Sequence, residues 1–259
     1  MIRIDTIHLG DCLDVMQRIS NKSVDMILCD LPYGCLNKTN KSAQWDNIIP
    51  FVPLWEQYER IIKDNGAIIL FASGLFTAQL MMSNPKMWRY NLVWDKCRVT
   101  GFLNANRMPL RCHEDICVFY KKLPVYNPQM EELDGRERNH PQGYGKHNEK
   151  NQCYGKIKRI TPQIYEKKHP RSILKIKKEH MNGKFYHPTQ KPVSLLRYLI
   201  RTYTNDGDLV LDNCMGSGST IIAAIQERRH YIGIELQQEY YDITRKRILN
   251  ETGQLRLDL

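Results

Sequence analysis

The chain has 259 residues, enough for one large domain carrying an insertion. Its mixture of apolar and charged residues is that of a soluble globular protein, and no apolar run approaches the ~20 residues needed to span a bilayer. The net charge of +10 is confined to one place: residues 121–191 carry 17 Lys+Arg and 7 Asp+Glu, while the remainder carries 21 of each. That distribution excludes an evenly solvated lysine surface and favours a polyanion-binding insertion.

In chain order, residues 2–9 partly alternate and predict a strand, and 11–19 have helical spacing. Val24 to Cys29 is an apolar run that predicts a strand, followed by a polar loop over 35–49. Helical periodicity covers 51–63, where Pro53 suits only the first turn. GAIILFAS at 66–73 is a strand apolar on both faces, 75–83 a helix, and 90–96 and 115–121 two more strands. From 122 to 188 no long periodicity survives. A helix is predicted over 191–204, with Pro192 near its start, then a strand at 208–212, a glycine turn, a helix at 220–229, a strand at 230–236 and a closing helix at 237–250. The alternation predicts an α/β protein with a Rossmann-like, mainly parallel sheet, in which 1–121 and 187–259 form one domain and 122–186 a basic insertion.

The first residues, MIRIDTIHLGD, show no charged-then-apolar leader, and a cytoplasmic protein is expected. The eight cysteines make no C-x-x-C pair and no Cys/His quartet, so reduced thiols and no metal are expected.

Two stretches carry chemistry. In LVLDNCMGSGSTIIAA, Asp212 ends a strand and Gly216 and Gly218 precede a helix, the context in which glycines let backbone approach a ligand. The next strand ends on Glu235, placed to accept hydrogen bonds from a ribose diol. A nucleoside ligand follows, either a nicotinamide dinucleotide or S-adenosylmethionine. In VDMILCDLPYG the strand ends on Asp30-Leu31-Pro32-Tyr33. A dehydrogenase has no need of that sequence, whereas an amino-methylating enzyme does. The exocyclic amine of a base is a poor nucleophile because its lone pair is delocalised. Two acceptors, the Asp30 carboxylate and the Leu31 carbonyl, would free that pair. Pro32 restricts Leu31 to an extended conformation, and Tyr33 offers a stacking face worth roughly 1–3 kcal/mol.

Asp30-Leu31-Pro32-Tyr33 resembles the D-P-P-Y motif of amino-group DNA methyltransferases. Leu211 to Thr220 resembles their methyl-donor glycine loop, and His187-Pro188-Thr189-Gln190-Lys191-Pro192 resembles the segment that precedes it. With the catalytic motif first, the order is similar to the beta arrangement of the family. The resemblance implies that Asp30 and Leu31 hold the target amine and Tyr33 stacks on the base. It implies that Asp11, Cys12, Thr189, Lys191, Asp212, Gly216, Gly218 and Glu235 border S-adenosylmethionine. It implies double-stranded DNA as partner, with the target base flipped out and residues 122–186 recognising the duplex. Lys175, Lys177 and Lys178 are the candidate phosphate contacts. Family members often form homodimers; neither oligomeric state nor a partner nuclease of a restriction–modification pair is legible in the residues. Leu31 and Asn213-Cys214 depart from the family's usual proline and proline-aromatic pair. An aspartate in the first position points to adenine N6. A cytosine-N4 enzyme, which usually carries serine there, an RNA substrate, and a catalytically silent DNA-binding module are the alternatives.

Overall fold

The computed structural model describes residues 2–35, 46–133, 167–177 and 190–253. They divide into two compact units, one of Met1–Asn127 with Ser172–Leu259, the other Pro128–Arg171.

In the larger unit, β1 (Thr6–Leu9) leads to α1 (Cys12–Met16), which Asp11 caps by accepting the Leu13 N–H at 2.8 Å. β2 (Val24–Cys29) sends Met26 and Leu28 into one core and Ile27 and Cys29 into the other, as strand alternation requires. α2 (Phe51–Ile61) passes into β3 (Ile62–Ala72) with no intervening turn, so the strand begins four residues earlier than the apolar run suggests. α3 (Leu75–Ser83), β4 (Trp88–Thr100) and β5 (Arg111–Phe119) follow. β4 and β5 both extend well past their apolar stretches, because they pair with each other as a long antiparallel ribbon.

The smaller unit, taken by itself, pairs β6 (Glu131–Glu132) antiparallel with β7 (Lys167–Lys168). Its register sets opposite charges across the ladder, with Lys167 3.1 Å from Glu132.

β8 (Ile173–Lys175) belongs to the larger unit, although it lies within the stretch from which sequence periodicity disappears. Three residues are too few to show alternation; the edge of β4, parallel to it, sets its register through Val93–Ile173 and Asp95–Lys175. Asn127 likewise anchors to the larger unit, donating from its backbone N–H to Thr202 O at 2.8 Å. The boundaries of the smaller unit thus fall inside 122–186. α4 (Val193–Tyr203), β9 (Leu209–Asp212), α5 (Ser219–Gln226), β10 (His230–Glu235) and α6 (Gln238–Thr252) complete the chain.

The eight strands order as β1-β10-β9-β2-β3-β5-β4-β8, and β5 alone runs against the others. Residues of α1, α2 and α3 build one core, including Met16, Tyr58 and Leu80; residues of α4, α5 and α6 build the other, including Leu196, Ile221 and Ile248. The sheet is therefore covered on both faces, and only its ends are open to ligands. Among the described residues no helix is long and apolar enough to cross a membrane.

Candidate active site

One cavity of about 990 Å³ opens at the carboxyl edge of the sheet. Asp11, Cys12, Asp30, Leu31, Pro32, Tyr33, Lys191, Asp212, Gly216 and Glu235 all line it. Lys175 and Lys177 do not; both are exposed, on or just after β8 at the far edge of the sheet. Thr189 and Lys178 lie outside the described residues.

At the β2 end, Asp30 Oδ1 accepts from the Tyr33 hydroxyl at 2.7 Å and Oδ2 accepts from Lys191 Nζ at 2.5 Å. The Lys191 side chain is only 8% exposed, and its ammonium also stands 3.2 Å from Glu114 Oε2. Glu114 Oε1 in turn lies 3.3 Å from Lys96 Nζ on the adjoining strand β4. Four charged groups thus run from β2 across the sheet to β4. Burial pushes the Asp30 carboxyl above the ordinary aspartate value, and Lys191 only partly offsets it. Burial alone would lower the Lys191 value, but the two flanking carboxylates outweigh it and keep the amine protonated. Burial pushes Glu114 up, and the two lysines overcome it, holding this acid below its usual range.

The D-L-P-Y turn is held from elsewhere in the chain. Asp46, 2% exposed, accepts the backbone N–H of Tyr33 at 2.8 Å and of Gly34 at 3.0 Å through one oxygen. Gly34 has φ +68 and closes on Ile48, so a side chain there is excluded twice over. The Leu31 side chain is buried in the core with Cys29 and Phe76. The Tyr33 ring stacks on Phe76 with centroids 4.9 Å apart.

The β9–β10 end is built from backbone. Glu235 Oε2 accepts the Gly216 N–H and Oε1 accepts the Gln237 N–H, both at 2.9 Å. Burial raises the Glu235 carboxyl, and these N–H groups oppose it. Burial likewise pushes Asp212 up to about 6, against hydrogen bonds from Thr220, Cys214 N–H and Cys29. Gly216 has φ +51 and nothing within 4 Å of where a Cβ would stand. Gly218 differs from the expectation that it faces a ligand: a Cβ there would lie 2.4 Å from the Thr244 side chain, so this glycine is required by packing against α6. α6 braces the same turn, with Thr244 Oγ1 donating to Gly216 O at 2.9 Å and Arg247 Nη1 to Ser217 O at 2.5 Å. Asn213, which departs from the family's usual proline, is buried and satisfied by the Tyr58 hydroxyl at 2.6 Å. Cys12, Cys29 and Cys214 meet beneath this end; the hydrogen bond with Cys214 lowers Cys12, while burial pushes Cys29 up to about 12.

Glu114, Lys96 and Asp46 are site residues that no motif announces. A carboxylate in the 35–49 loop, soon after the tetrapeptide, was the one available signal for Asp46. Glu114 and Lys96 gave none, since their meeting depends on β4–β5 register.

A family model described as DNA methylase matches residues 24–246. The chain is 30% identical over 276 residues to the type II methyltransferase M.HinfI of Haemophilus influenzae, covering 95% of this chain and 68% of that protein. It is 30% identical over 260 residues to the type II methyltransferase M1.MboII of Moraxella bovis, covering 93% and 95%. Among solved structures, the fold is similar to an M1.HpyAVI–SAM complex, with TM-score 0.61, 22% identity, and 94% and 98% of the two chains covered. It is similar also to the cytosine-N4-specific PvuII DNA methyltransferase, with TM-score 0.66, 15% identity, and 98% and 88% covered. The family match across most of the chain and the relatives' likeness over more than nine-tenths of it lead to one statement: this chain belongs to the DNA methylase family of N6/N4 amino-methyltransferases.

Proposed function

We propose that the protein methylates the N6 amine of adenine in duplex DNA, taking the methyl group from S-adenosylmethionine. The observation that carries the adenine reading is an aspartate, Asp30, rather than a hydroxyl residue, in the cavity shared with the Gly216–Glu235 turn. The donor fits that turn. Gly216 leaves open space where any side chain would intrude. Glu235 accepts the Gly216 N–H on one oxygen and the Gln237 N–H on the other, with Leu236 N–H also bonding the carboxylate, and keeps acceptor capacity for a ribose hydroxyl. The cavity is at the upper end of ligand-site volumes, roomy enough for a nucleoside donor and a base together. Bound there, S-adenosylmethionine supplies an electrophilic methyl group on a cationic sulfur.

Asp30 and the Leu31 carbonyl hold the two amine protons and aim the nitrogen lone pair; Asp30 receives a proton as positive charge develops on nitrogen. Tyr33 and Phe76 supply the aromatic wall. The basic excess in 121–191, with Lys175 and Lys177 exposed, supplies salt-dependent attraction to phosphates, and the base is flipped to reach the cavity. Purified protein, radiolabelled donor and unmodified bacteriophage DNA test this reading. Label recovered as N6-methyladenine supports it. Label on cytosine N4 overturns the base assignment, and no label on DNA overturns the substrate.

A further inference from the structure

The Asp30 end of the cavity has a difficulty built into it. Both oxygens of the carboxylate are engaged, one by Tyr33 and one by Lys191. Each oxygen keeps a second lone pair, but a substrate amine that donates to Oδ2 and then passes its proton there competes with the ammonium already seated on it. Lys191 is only 8% exposed, and a buried cation separated from its partner is strongly destabilising. Among the described residues, Glu114 is the other carboxylate paired with it.

We propose that Glu114 is a positioning residue for methyl transfer, offering Lys191 a second seat so that Asp30 Oδ2 can be released to the substrate amine. The proposal rests on reading Asp30 as the acid that holds the amine. Three observations carry it. Glu114 Oε2 already stands in an ion pair with Lys191 Nζ at 3.2 Å, longer than the 2.5 Å to Asp30, so the second seat is in place and takes the ammonium with a small shift. The other oxygen is tethered by Lys96, which keeps the carboxylate facing the cavity. The Lys191 ammonium also lies 5.0 Å from the Phe71 ring centroid and 5.9 Å from that of Tyr33, so aromatic faces flank its path.

The step balances. The amine nitrogen bonds to the methyl carbon as the carbon–sulfur bond breaks, its electron pair going to sulfur. The nitrogen's proton passes to Asp30 Oδ2. The positive charge lost from the sulfonium then resides on the network, where Lys191 and Lys96 share Glu114. The titratable groups facing Asp30 are Lys191, Glu114, Tyr33, Cys29 and Asp212, with Lys96 acting through Glu114.

Glu114→Gln and Lys96→Met have opposite expected effects. In Glu114→Gln the ammonium stays on Asp30. Single-turnover methyl transfer to unmodified bacteriophage DNA falls by about 10²-fold, and the acid limb of its pH profile moves down, since a negative charge near Asp30 is gone. In Lys96→Met, Glu114 draws Lys191 more strongly, Asp30 is less neutralised, and the limb moves up. Donor affinity by calorimetry is unchanged in both, which also shows that each variant is folded. An unmoved limb in both variants, or limbs moving the same way, overturns the positioning role, even where the rate falls. Should Glu114→Gln fail to bind donor, the Lys96→Met limb decides: upward supports the proposal, unmoved overturns it. A wild type that transfers no label fails the parent reading instead, so the two failures are distinguishable.

Discussion

At the Asp30 end of the cavity, the reactive groups hold one another through side chains: Tyr33 donates to Asp30 within the same turn, and Lys191, Glu114 and Lys96 are each paired with a charge from another element. At the Glu235 end, a carboxylate is held by backbone N–H groups, Gly216 from the glycine turn and Gln237 just after β10, and no lysine or arginine forms an ion pair with it among the described residues. Under the proposed function, the difference suits two tasks. A donor whose own charge sits on sulfur needs shape and hydrogen-bond acceptors. An amine whose charge changes during reaction needs groups that can redistribute charge.

If the two ends are separable, Asp30→Ala is the sharpest cut. Transfer falls by about 10²- to 10⁴-fold, the usual range for losing a positioned proton acceptor, while donor affinity stays close to wild type. Single-turnover kinetics and calorimetry on the same preparation check both halves. A parallel loss of donor binding breaks the comparison.

Glu235→Ala makes the converse cut. Two charge-assisted contacts to a ribose vanish, each worth roughly 1.5–3 kcal/mol, so the donor dissociation constant rises by about 10²- to 10⁴-fold. With saturating donor, the transfer rate recovers most of its wild-type value. A rate that stays low at saturation places Glu235 in the chemistry as well.

A finer separation lies within the glycine turn. Gly216→Ala introduces left-handed strain of roughly 1–2 kcal/mol and intrudes on the cavity, so it weakens donor binding at modest cost to the fold. Gly218→Ala adds overpacking against Thr244, about 1–3 kcal/mol beyond the same strain, and lowers the melting temperature more than it alters donor affinity in the protein that remains folded. Equal effects of the two substitutions on both readouts remove the distinction.

The last effect is electrostatic and shows only as a change with pH. The Asp212 value is raised to about 6 in the folded protein by burial, above its unfolded value. The stability it contributes is therefore fully present below the unfolded value, near 4, and lost as pH rises through about 6. Asp212→Asn abolishes that loss. The difference in unfolding free energy between variant and wild type should shift in the variant's favour by roughly 2–3 kcal/mol across this window and stay constant above it. Denaturant melts at several pH values measure it.

The same contrast explains what could be read in advance. A turn made by backbone leaves a trace in composition, because Gly216 and Gly218 tolerate little else, and the strand–glycine–helix order around them is contiguous. The D-L-P-Y corner is legible for the same reason. The buried ion network is not. Lys96 and Glu114 look like surface charges on two ordinary strands, and only the pairing of Trp94 with Glu114 across β4 and β5 brings them together. Lys191 was legible as part of a motif, but its pairing with Asp30 spans 161 residues. The roles of the two turn glycines were also not separable, because what distinguishes them is Thr244, contributed by the last helix. β8 escaped notice since its register comes wholly from a neighbour.

The central pairing of β2 with β9 has a consequence for how the chain reaches its working form. Asp25 bonds to the Leu209 N–H across 184 residues, and Tyr58 to Asn213 across 155. Contacts of such sequence separation close large loops, whose entropy has to be lost before the contacts reward it, so they form late and slow folding. Asp30 acquires its lysine, and Glu235 its place two strands away, only once that join is made. During synthesis the first half of the protein emerges with Asp30 lacking its lysine counterion and with no Gly216–Glu235 turn beside it. Under the proposed function, competence arrives with the last third of the chain, and fragments that stop before Lys191 are expected to be inert.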